Sequence, residues 1–157
     1  MPEANEAPSP QAAAAAIRIA PVERSLAGFG AVVDYLAGIE PFSRYDFGNF
    51  SAAIRFQVLQ RCNLCAFAGP RLAGYCGWLP TSAAIAQAWI EGTGQLQPVR
   101  NGDVVAVTIV AAKERATLRP LIAAARKLNA GKRFYFRRDY AGSRTARKAS
   151  VADVRPG

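Results

Sequence analysis

The sequence predicts an α/β protein in which helices flank a mixed central sheet. Segments with helical spacing of apolar residues alternate along the chain with strand-like runs. Residues 103–112, DVVAVTIVAA, are almost continuously apolar, which is typical of a strand buried on both faces. Hydrophobic residues make up 51% of the 157 positions, enough for the core of one domain. We place this domain at residues 21–152, between a disordered tail over 1–20 and a short tail over 153–157.

The first half of the domain is predicted to be helical. Apolar residues at helical spacing indicate a helix over 25–40, and Ser25 is suited to cap its N-terminus. Residues 41–49 are loop-like, and an amphipathic helix follows over 50–60. Before the first helix, IRIAPV at 17–22 is either a short strand or an arm that packs on the domain.

A hairpin, a helix and a central strand are expected next. Residues 62–68 and 72–79 form two strand-like runs around a Gly-Pro-Arg turn. A short helix over 81–92 begins at a Thr-Ser pair and ends at Gly92. The strand over 103–112 then follows a loop, and its apolar character places it in the middle of the sheet.

The last third of the chain is predicted to contain a helix and two strands. The helix covers 118–131, with Pro120 in its first turn and Gly131 just past its end. Aromatic and basic residues alternate over 132–140, which is typical of a strand, and 144–151 is a final exposed strand. The predicted order of elements is therefore α-α-β-β-α-β-α-β-β.

Charge is concentrated in one part of the sequence. The net charge is +9, yet residues 1–112 hold seven Arg against eight acids. Residues 113–148 hold twelve Lys or Arg against two acids, a local charge of +10. Such a field attracts an acidic partner, which leaves nucleic acid, an anionic membrane surface and an acidic protein as candidates. The chain has no histidine, the commonest general base near neutral pH.

The three cysteines predict neither disulfides nor a metal site. Cys62 and Cys65 have metal-ligand spacing, but beyond Cys76 there is no fourth Cys and no His to complete a zinc site. We interpret all three as small buried side chains. The low Cys count, the absence of a basic N-terminal signal and the absence of a long apolar run predict a cytoplasmic protein without a membrane helix.

Several motifs resemble those of the RTX toxin-activating lysine acyltransferase family. AGYCGW at 73–78, followed by a helix, is similar to the family's Pro-Val-Ala-Tyr-Cys-Ser-Trp-Ala motif. EPFSR at 40–44 resembles its Ser-Pro-Leu-His-Arg segment, and NGDVVAVTIVAA at 101–112 resembles its central strand. The basic residues of 134–148 resemble the strand pair that ends many shorter members. The resemblance covers about residues 25–150.

This resemblance implies a fold and a reaction. The family's fold is similar to that of the Gcn5-related N-acetyltransferases, and its members tend to form homodimers. They bind no cofactor tightly. They take a fatty acyl group from acyl carrier protein, a strongly acidic donor, and place it on internal lysines of an RTX-type protoxin. The expected partners are therefore acyl carrier protein or another acidic protein, and a protoxin or another lysine-bearing target.

The resemblance also implies roles for individual residues. The family's catalytic histidine corresponds to Ser43, which becomes the candidate catalytic residue, and its catalytic aspartate falls near Thr108 or Ile109. Tyr75 and Trp78 are expected to form the wall of an acyl channel. The residues expected to hold the carrier are Lys132, Arg133, Arg137 and Arg138.

Two other functions remain open at this point. Because the family's histidine and aspartate are missing, the chain can be a non-catalytic relative that keeps the fold and the basic surface as a binding or assembly subunit. The basic and aromatic residues of 132–140 also fit an RNA-binding module, which stacks bases on aromatic rings. No glycine lies between Asp103 and Gly131, where an acetyl-CoA-dependent enzyme usually has its pyrophosphate loop.

Overall fold

A computed structural model describes residues 16–138 and 148–153 of the chain. The predicted α/β class is confirmed, with the helices and strands in the predicted order. The elements are β1 (Ile17–Ala20), α1 (Leu26–Ala37), a 3₁₀ turn (Phe42–Arg44), α2 (Phe47–Leu59), β2 (Asn63–Ala68), β3 (Arg71–Thr81), α3 (Ala83–Glu91), β4 (Val104–Ala112), α4 (Arg115–Leu128), β5 (Arg133–Arg138) and β6 (Lys148–Asp153). Residues 1–15, 139–147 and 154–157 lie outside the described residues, including the predicted turn after residue 140 and the start of the predicted last strand.

The described strands form one mixed sheet in the order β1-β2-β3-β4-β5-β6. All neighbouring pairs are antiparallel except β4 and β5, which are parallel. Parallel strands need a crossover, and α4 supplies it. β4 therefore lies in the interior of the sheet between β3 and β5, as its apolar sequence predicts.

The N-terminal segment IRIA is a strand. Its residues pair with β2 from Ile17 opposite Ala68 to Ala20 opposite Cys65. Four residues that the sequence assigns to the tail thus belong to the sheet. An edge strand this short has too few positions to show a periodic pattern, which is why the sequence left two interpretations open.

Capping side chains set where the first two helices begin. The Ser25 hydroxyl accepts a hydrogen bond from the Gly28 N–H at 3.0 Å, so the predicted cap is confirmed. α2 begins at Phe47, three residues earlier than predicted, because the Asp46 carboxylate accepts from the Asn49 N–H at 2.9 Å. The loop between the helices is correspondingly shorter, and this loop borders the candidate site.

Helix α4 also begins earlier than predicted. It starts at Arg115, so Pro120 lies in its second turn and not in its first. Thr117, Leu121 and Ala125 are four residues apart and buried, and together they form the stripe that packs on the sheet. This stripe stabilises the helix against the loss of one backbone hydrogen bond at the proline.

The helices cover both faces of the sheet. The core between the sheet and helices α1 and α2 includes Val32, Leu36, Ile54, Val58, Tyr75 and Ile109. The core under α4 includes Cys76, Trp78, Val105, Leu121 and Phe134. Helix α3 packs on Val104 and Tyr135 through Ala86. No helix in the described ranges is long and apolar enough to cross a bilayer.

Two glycines of α1 predict opposite responses to alanine. Gly30 is exposed in the middle of the helix, and a Cβ there meets no atom within 4 Å. We expect Gly30→Ala to raise the free energy of unfolding by about 0.5–1 kcal/mol, because it removes a glycine from a helix interior. A Cβ at Gly28 meets the Glu23 carbonyl oxygen. Gly28→Ala should therefore lower the free energy of unfolding by about 1–3 kcal/mol. Urea unfolding measures both, and equal effects would contradict the packing of α1.

Candidate active site

The sheet opens between β4 and β5. The two strands pair from Val104 opposite Arg133 to Val107 opposite Phe136. β4 then continues to Ala112, while the described part of β5 ends at Arg138. The described pairing between the two strands ends at Val107 and Phe136. Beyond these residues the facing edges of β4 and β5 are available to a ligand.

A cavity of about 610 Å³ lies at this opening. We call it the splay cavity. Four segments contribute to its wall, namely the α1–α2 loop, the C-terminal half of β4, the first two turns of α4, and β5. Its apolar residues include Phe42, Val107, Val110, Leu118, Ile122 and Phe136. Its volume and apolar lining are those of a small-molecule site.

Aromatic packing fixes the shape of the α1–α2 loop. The Phe42 ring stacks on Phe50 with centroids 5.8 Å apart, and the Tyr45 ring meets both edge-on at 5.6 and 5.3 Å. Such pairs stabilise the contact beyond simple burial. The loop therefore forms a firm wall of the cavity, and Phe42 and Tyr45 face it.

Glu40 supplies a carboxylate at the mouth of the cavity. Within the described lining it is the sole acidic side chain. It accepts a hydrogen bond from Arg44 Nε at 3.1 Å, in an ion pair whose side chains are 45% and 72% exposed. Exposed pairs of this kind contribute only about 0–1 kcal/mol. A cationic ligand can therefore take the place of Arg44 at little cost.

Two guanidinium groups also line the cavity. Arg115 is the first residue of α4, and Arg137 extends from β5 just after the strands part. Arg137 Nη1 donates to the Trp89 carbonyl at 3.2 Å. Its Nε is buried and has no hydrogen-bond partner among the described residues. A buried cationic donor without an acceptor is costly, so this group indicates a site for an anion.

The structure places Ser43 outside the lining of the cavity and Thr108 within it. Ser43 is exposed in the 3₁₀ turn and is not among the lining residues, and its N–H donates to the Ile39 carbonyl. Thr108, one of two positions for the family's aspartate, lines the cavity. The other, Ile109, points into the core beneath α1 and α2.

Tyr75 and Trp78 lie in the two cores and not in the cavity wall. Tyr75 is fully buried on the α1 and α2 side, and Trp78 is 4% exposed on the α4 side. Neither residue is among the lining residues of the splay cavity. The Tyr75 hydroxyl donates to Gln57 Oε1 at 2.9 Å, which ties the motif to α2.

The four predicted carrier-binding residues are not in one place. Arg137 lines the cavity. Lys132 and Arg133 lie at the opposite end of β5, where Lys132 Nζ donates to the Gly102 carbonyl and Arg133 pairs with Asp153 at 2.6 Å. Arg138 is at the end of the described part of β5, and its side chain lies outside the described residues.

No sequence pattern assigned a role to Glu40, Arg115 or Gln57. Glu40 belongs to the EPFSR segment that the resemblance singled out, so its acidic side chain was a usable signal. Arg115 lies in the basic region, but among many similar cations. Nothing in the pattern of α2 marks Gln57, since its burial at 0% exposure depends on the packing of three elements.

The buried thiols are held protonated. Burial raises the pKa of Cys65 to about 12 and that of Cys76 to about 12. Burial also raises the pKa of Cys62, which is only partly buried. The interpretation as small buried side chains is thus confirmed for Cys65 and Cys76. Within residues 16–138 and 148–153, no group of three His, Cys, Asp or Glu side chains is placed to hold a metal.

These thiols predict a loss of stability at alkaline pH. In the unfolded chain a thiol ionises near pH 8.5, whereas the folded chain keeps Cys65 and Cys76 protonated up to about pH 12. The unfolded state therefore binds fewer protons over this range. The free energy of unfolding should fall by up to about 1.4 kcal/mol per pH unit for each thiol. Urea unfolding at about pH 8 and about pH 10 measures this, and Cys76→Ala should reduce the slope. An unchanged slope would contradict the burial of Cys76.

Comparison with known proteins supports the fold. No family model matches the sequence, and no curated protein matches it. The structure is similar to a mosquito arylalkylamine N-acetyltransferase-like 5b, with a TM-score of 0.56 and 15% identity over 78% of this chain and 76% of that chain. A PaiA N-acetyltransferase from Thermoplasma acidophilum in complex with coenzyme A gives a TM-score of 0.43, with 12% identity over 79% of this chain and 81% of that one. An N-acetyltransferase from Staphylococcus aureus Mu50 gives 0.42, with 14% identity over 78% and 81%. The expected similarity to the Gcn5-related N-acetyltransferase fold is thereby confirmed.

Proposed function

We propose that the protein transfers an acyl group from a phosphopantetheine thioester of acyl carrier protein to a lysine amine of a target protein. The splay cavity carries this proposal, because it combines an apolar wall with a cationic side and a carboxylate at its mouth. The fold of the protein is similar to that of a mosquito arylalkylamine N-acetyltransferase-like protein. Acylation of an amine is the chemistry that we carry over from this neighbour.

The lining fits the two ends of such a donor. The apolar side chains of β4, α4 and β5 offer a surface for the acyl chain. A phosphate of the pantetheine arm would supply the acceptor that Arg137 Nε lacks, and Arg115 would share its charge. These two residues hold the arm, and the thioester then lies between β4 and β5.

The reaction needs an amine and a place for its proton. The ammonium group of the lysine replaces Arg44 beside Glu40. Glu40 first accepts one proton from the ammonium group, which leaves a neutral amine. The amine nitrogen then forms a bond with the thioester carbonyl carbon. As the tetrahedral intermediate collapses, the carbon–sulfur bond breaks and a second proton passes from the nitrogen to the leaving sulfur, so that a thioester is exchanged for an amide and a thiol and Glu40 returns its proton to solvent.

The basic surface offers a complement to an acidic carrier. Lys113, Arg115 and Arg119 are exposed around the first turns of α4, next to the cavity. They belong to the region with the local charge of +10. We propose that the carrier docks here and not at Lys132 and Arg133, since its arm must reach the splay cavity.

A binding and transfer experiment tests this function. Wild-type protein is incubated with acylated carrier protein and a lysine-containing peptide, and amide formation is followed by mass spectrometry. We expect transfer, and we expect Arg137→Gln to weaken binding of the acylated carrier by about tenfold or more, since a charged hydrogen bond contributes roughly 1.5–3 kcal/mol. Arg133→Gln is the control from the same strand and should bind like wild type.

Each alternative function gives a different result. Intact carrier binding without transfer to any lysine would reject the enzyme and favour the non-catalytic binding subunit. Salt-sensitive binding of RNA without binding of the carrier would favour the RNA-binding module. A loss of carrier binding in Arg133→Gln but not in Arg137→Gln would overturn the role of the splay cavity.

A further inference from the structure

A buried amide links the hairpin motif to the cavity wall. Gln57 of α2 is 0% exposed, and its amide contacts Tyr75 of β3 and Thr108 of β4. Its Oε1 accepts from the Tyr75 hydroxyl at 2.9 Å, and its Nε2 donates to Thr108 Oγ1 at 2.7 Å. The amide thus lies with its oxygen toward Tyr75 and its nitrogen toward Thr108. The Thr108 oxygen therefore receives a short hydrogen bond from a side chain that cannot turn away.

The Thr108 proton is left weakly engaged. Within the described structure, the hydroxyl donates to the Gly77 carbonyl at 3.4 Å, a long contact for an O–H donor. Gln57 occupies one of the two lone pairs of the hydroxyl, and the single hydroxyl proton is the group that can be given to a ligand. A ligand oxygen at a shorter distance would attract this proton from Gly77.

An irregularity of the sheet sets the position of Thr108. Gly77 pairs with Ile109 and Trp78 pairs with Val107, so Thr108 is the extra residue of a β-bulge in β4. The parallel pairing of β4 with β5 ends at Val107, the residue just before it. Thr108 also lines the splay cavity. The bulge thus places an oriented hydroxyl where the two strands begin to part.

We propose that Thr108 donates a hydrogen bond to the carbonyl oxygen of the bound acyl thioester and that Gln57 is the positioning residue for this hydroxyl. The inference rests on the proposed acyl transfer and names the group that binds its reacting carbonyl. The bond strengthens as the oxygen gains negative charge, so it stabilises the tetrahedral intermediate more than the bound thioester.

Variants at position 108 separate the hydroxyl from the shape of the side chain. Thr108→Val keeps the shape and removes the donor, whereas Thr108→Ser keeps the donor. We expect Thr108→Val to lower kcat by about 10²–10³-fold, the usual effect of removing one donor to a developing oxyanion. Thr108→Ser should retain most of the rate. Thr108→Ala replaces Thr108→Val if the latter does not fold, as judged by thermal unfolding.

An infrared measurement reports the bond without turnover. Octanoyl-phosphopantetheine labelled with ¹³C at the thioester carbonyl is bound to each variant, and the carbonyl stretch is recorded. We expect a higher wavenumber in Thr108→Val than in wild type, the wild-type value in Thr108→Ser, and a higher, broader band in Gln57→Met. A purely structural role of Gln57 would leave the band unmoved.

The outcomes distinguish the two proposals. Saturable binding with the same carbonyl band in wild type and Thr108→Val would overturn this inference and leave the proposed function standing. Absence of saturable binding of octanoyl-phosphopantetheine to wild type would overturn the proposed function, and this inference with it. A shifted band in Thr108→Val with a wild-type band in Gln57→Met would overturn the positioning role of Gln57.

Discussion

Replacing Glu40 with Gln is expected to slow acyl transfer to a lysine amine by about 10²–10⁴-fold, the range for loss of a general base. Gln keeps the size of the side chain and an oxygen for Arg44, but it can neither attract an ammonium group nor accept its proton. Donor binding should be unchanged, because the proposed donor contacts, Arg115 and Arg137, belong to α4 and β5 and not to the loop of Glu40. Single-turnover transfer and carrier binding, measured on the same protein, check both statements.

Ser43 is the matched control for this experiment. It lies in the same loop, three residues away, and it is the position of the family's histidine in the resemblance. Because Ser43 is exposed and outside the lining of the cavity, Ser43→Ala should transfer within a few-fold of the wild-type rate. Wild-type transfer by Glu40→Gln, together with a large loss in Ser43→Ala, would overturn our assignment and support the prediction made from the resemblance.

The order of elements was predictable because local patterns determine it. The Ser25 cap, the Gly92 end of α3 and the apolar run of β4 each act within a few residues, and the structure contains all three features. Boundaries were less predictable. The start of α2 depends on a cap by Asp46, and α4 begins before a proline that suggested a later start. Asp46, in a segment predicted as a loop, caps α2. Pro120, predicted for the first turn of α4, lies in its second turn.

The candidate site was predictable only in part, because it depends on contacts between distant segments. The resemblance pointed to the α1–α2 loop and to Thr108 or Ile109, and of these the loop and Thr108 border the splay cavity. It also assigned Tyr75 and Trp78 to an acyl channel, although both lie in the cores. Alternation along β3 puts these side chains on faces covered by helices, and no sequence pattern shows which face opens into a cavity. That opening follows from where the pairing of β4 and β5 ends.

Replacing Gly77 with Ala is expected to lower the free energy of unfolding by about 2–6 kcal/mol. A Cβ at this position meets Gln57 Oε1, lies 2.6 Å from Gln57 Cδ, and lies 2.8 Å from Tyr75 Cε1. Both neighbours are 0% exposed, so neither can move aside without disturbing the core. Overpacking costs about 1–3 kcal/mol, and leaving the buried amide without its partners costs about 1–3 kcal/mol more. Urea unfolding measures the change.

Gly74 gives the comparison within the same strand. A Cβ there lies 3.1 Å from Thr117 Cγ2, 3.2 Å from Leu121 Cδ2 and 3.3 Å from the Ala111 carbonyl oxygen, contacts that shifts of a few tenths of an ångström relieve. Gly74→Ala should therefore lose less stability than Gly77→Ala. Since the clash at Gly77 is with Gln57, Gln57→Ala combined with Gly77→Ala should cost less than the sum of the single changes. Strict additivity, or a Gly77→Ala protein as stable as wild type, would show that the glycine of the Tyr-Cys-Gly-Trp motif does not make room for Gln57. Because Gly77 has no side chain, the Gln57 amide fits beside the motif and donates its hydrogen bond to Thr108 in the cavity wall.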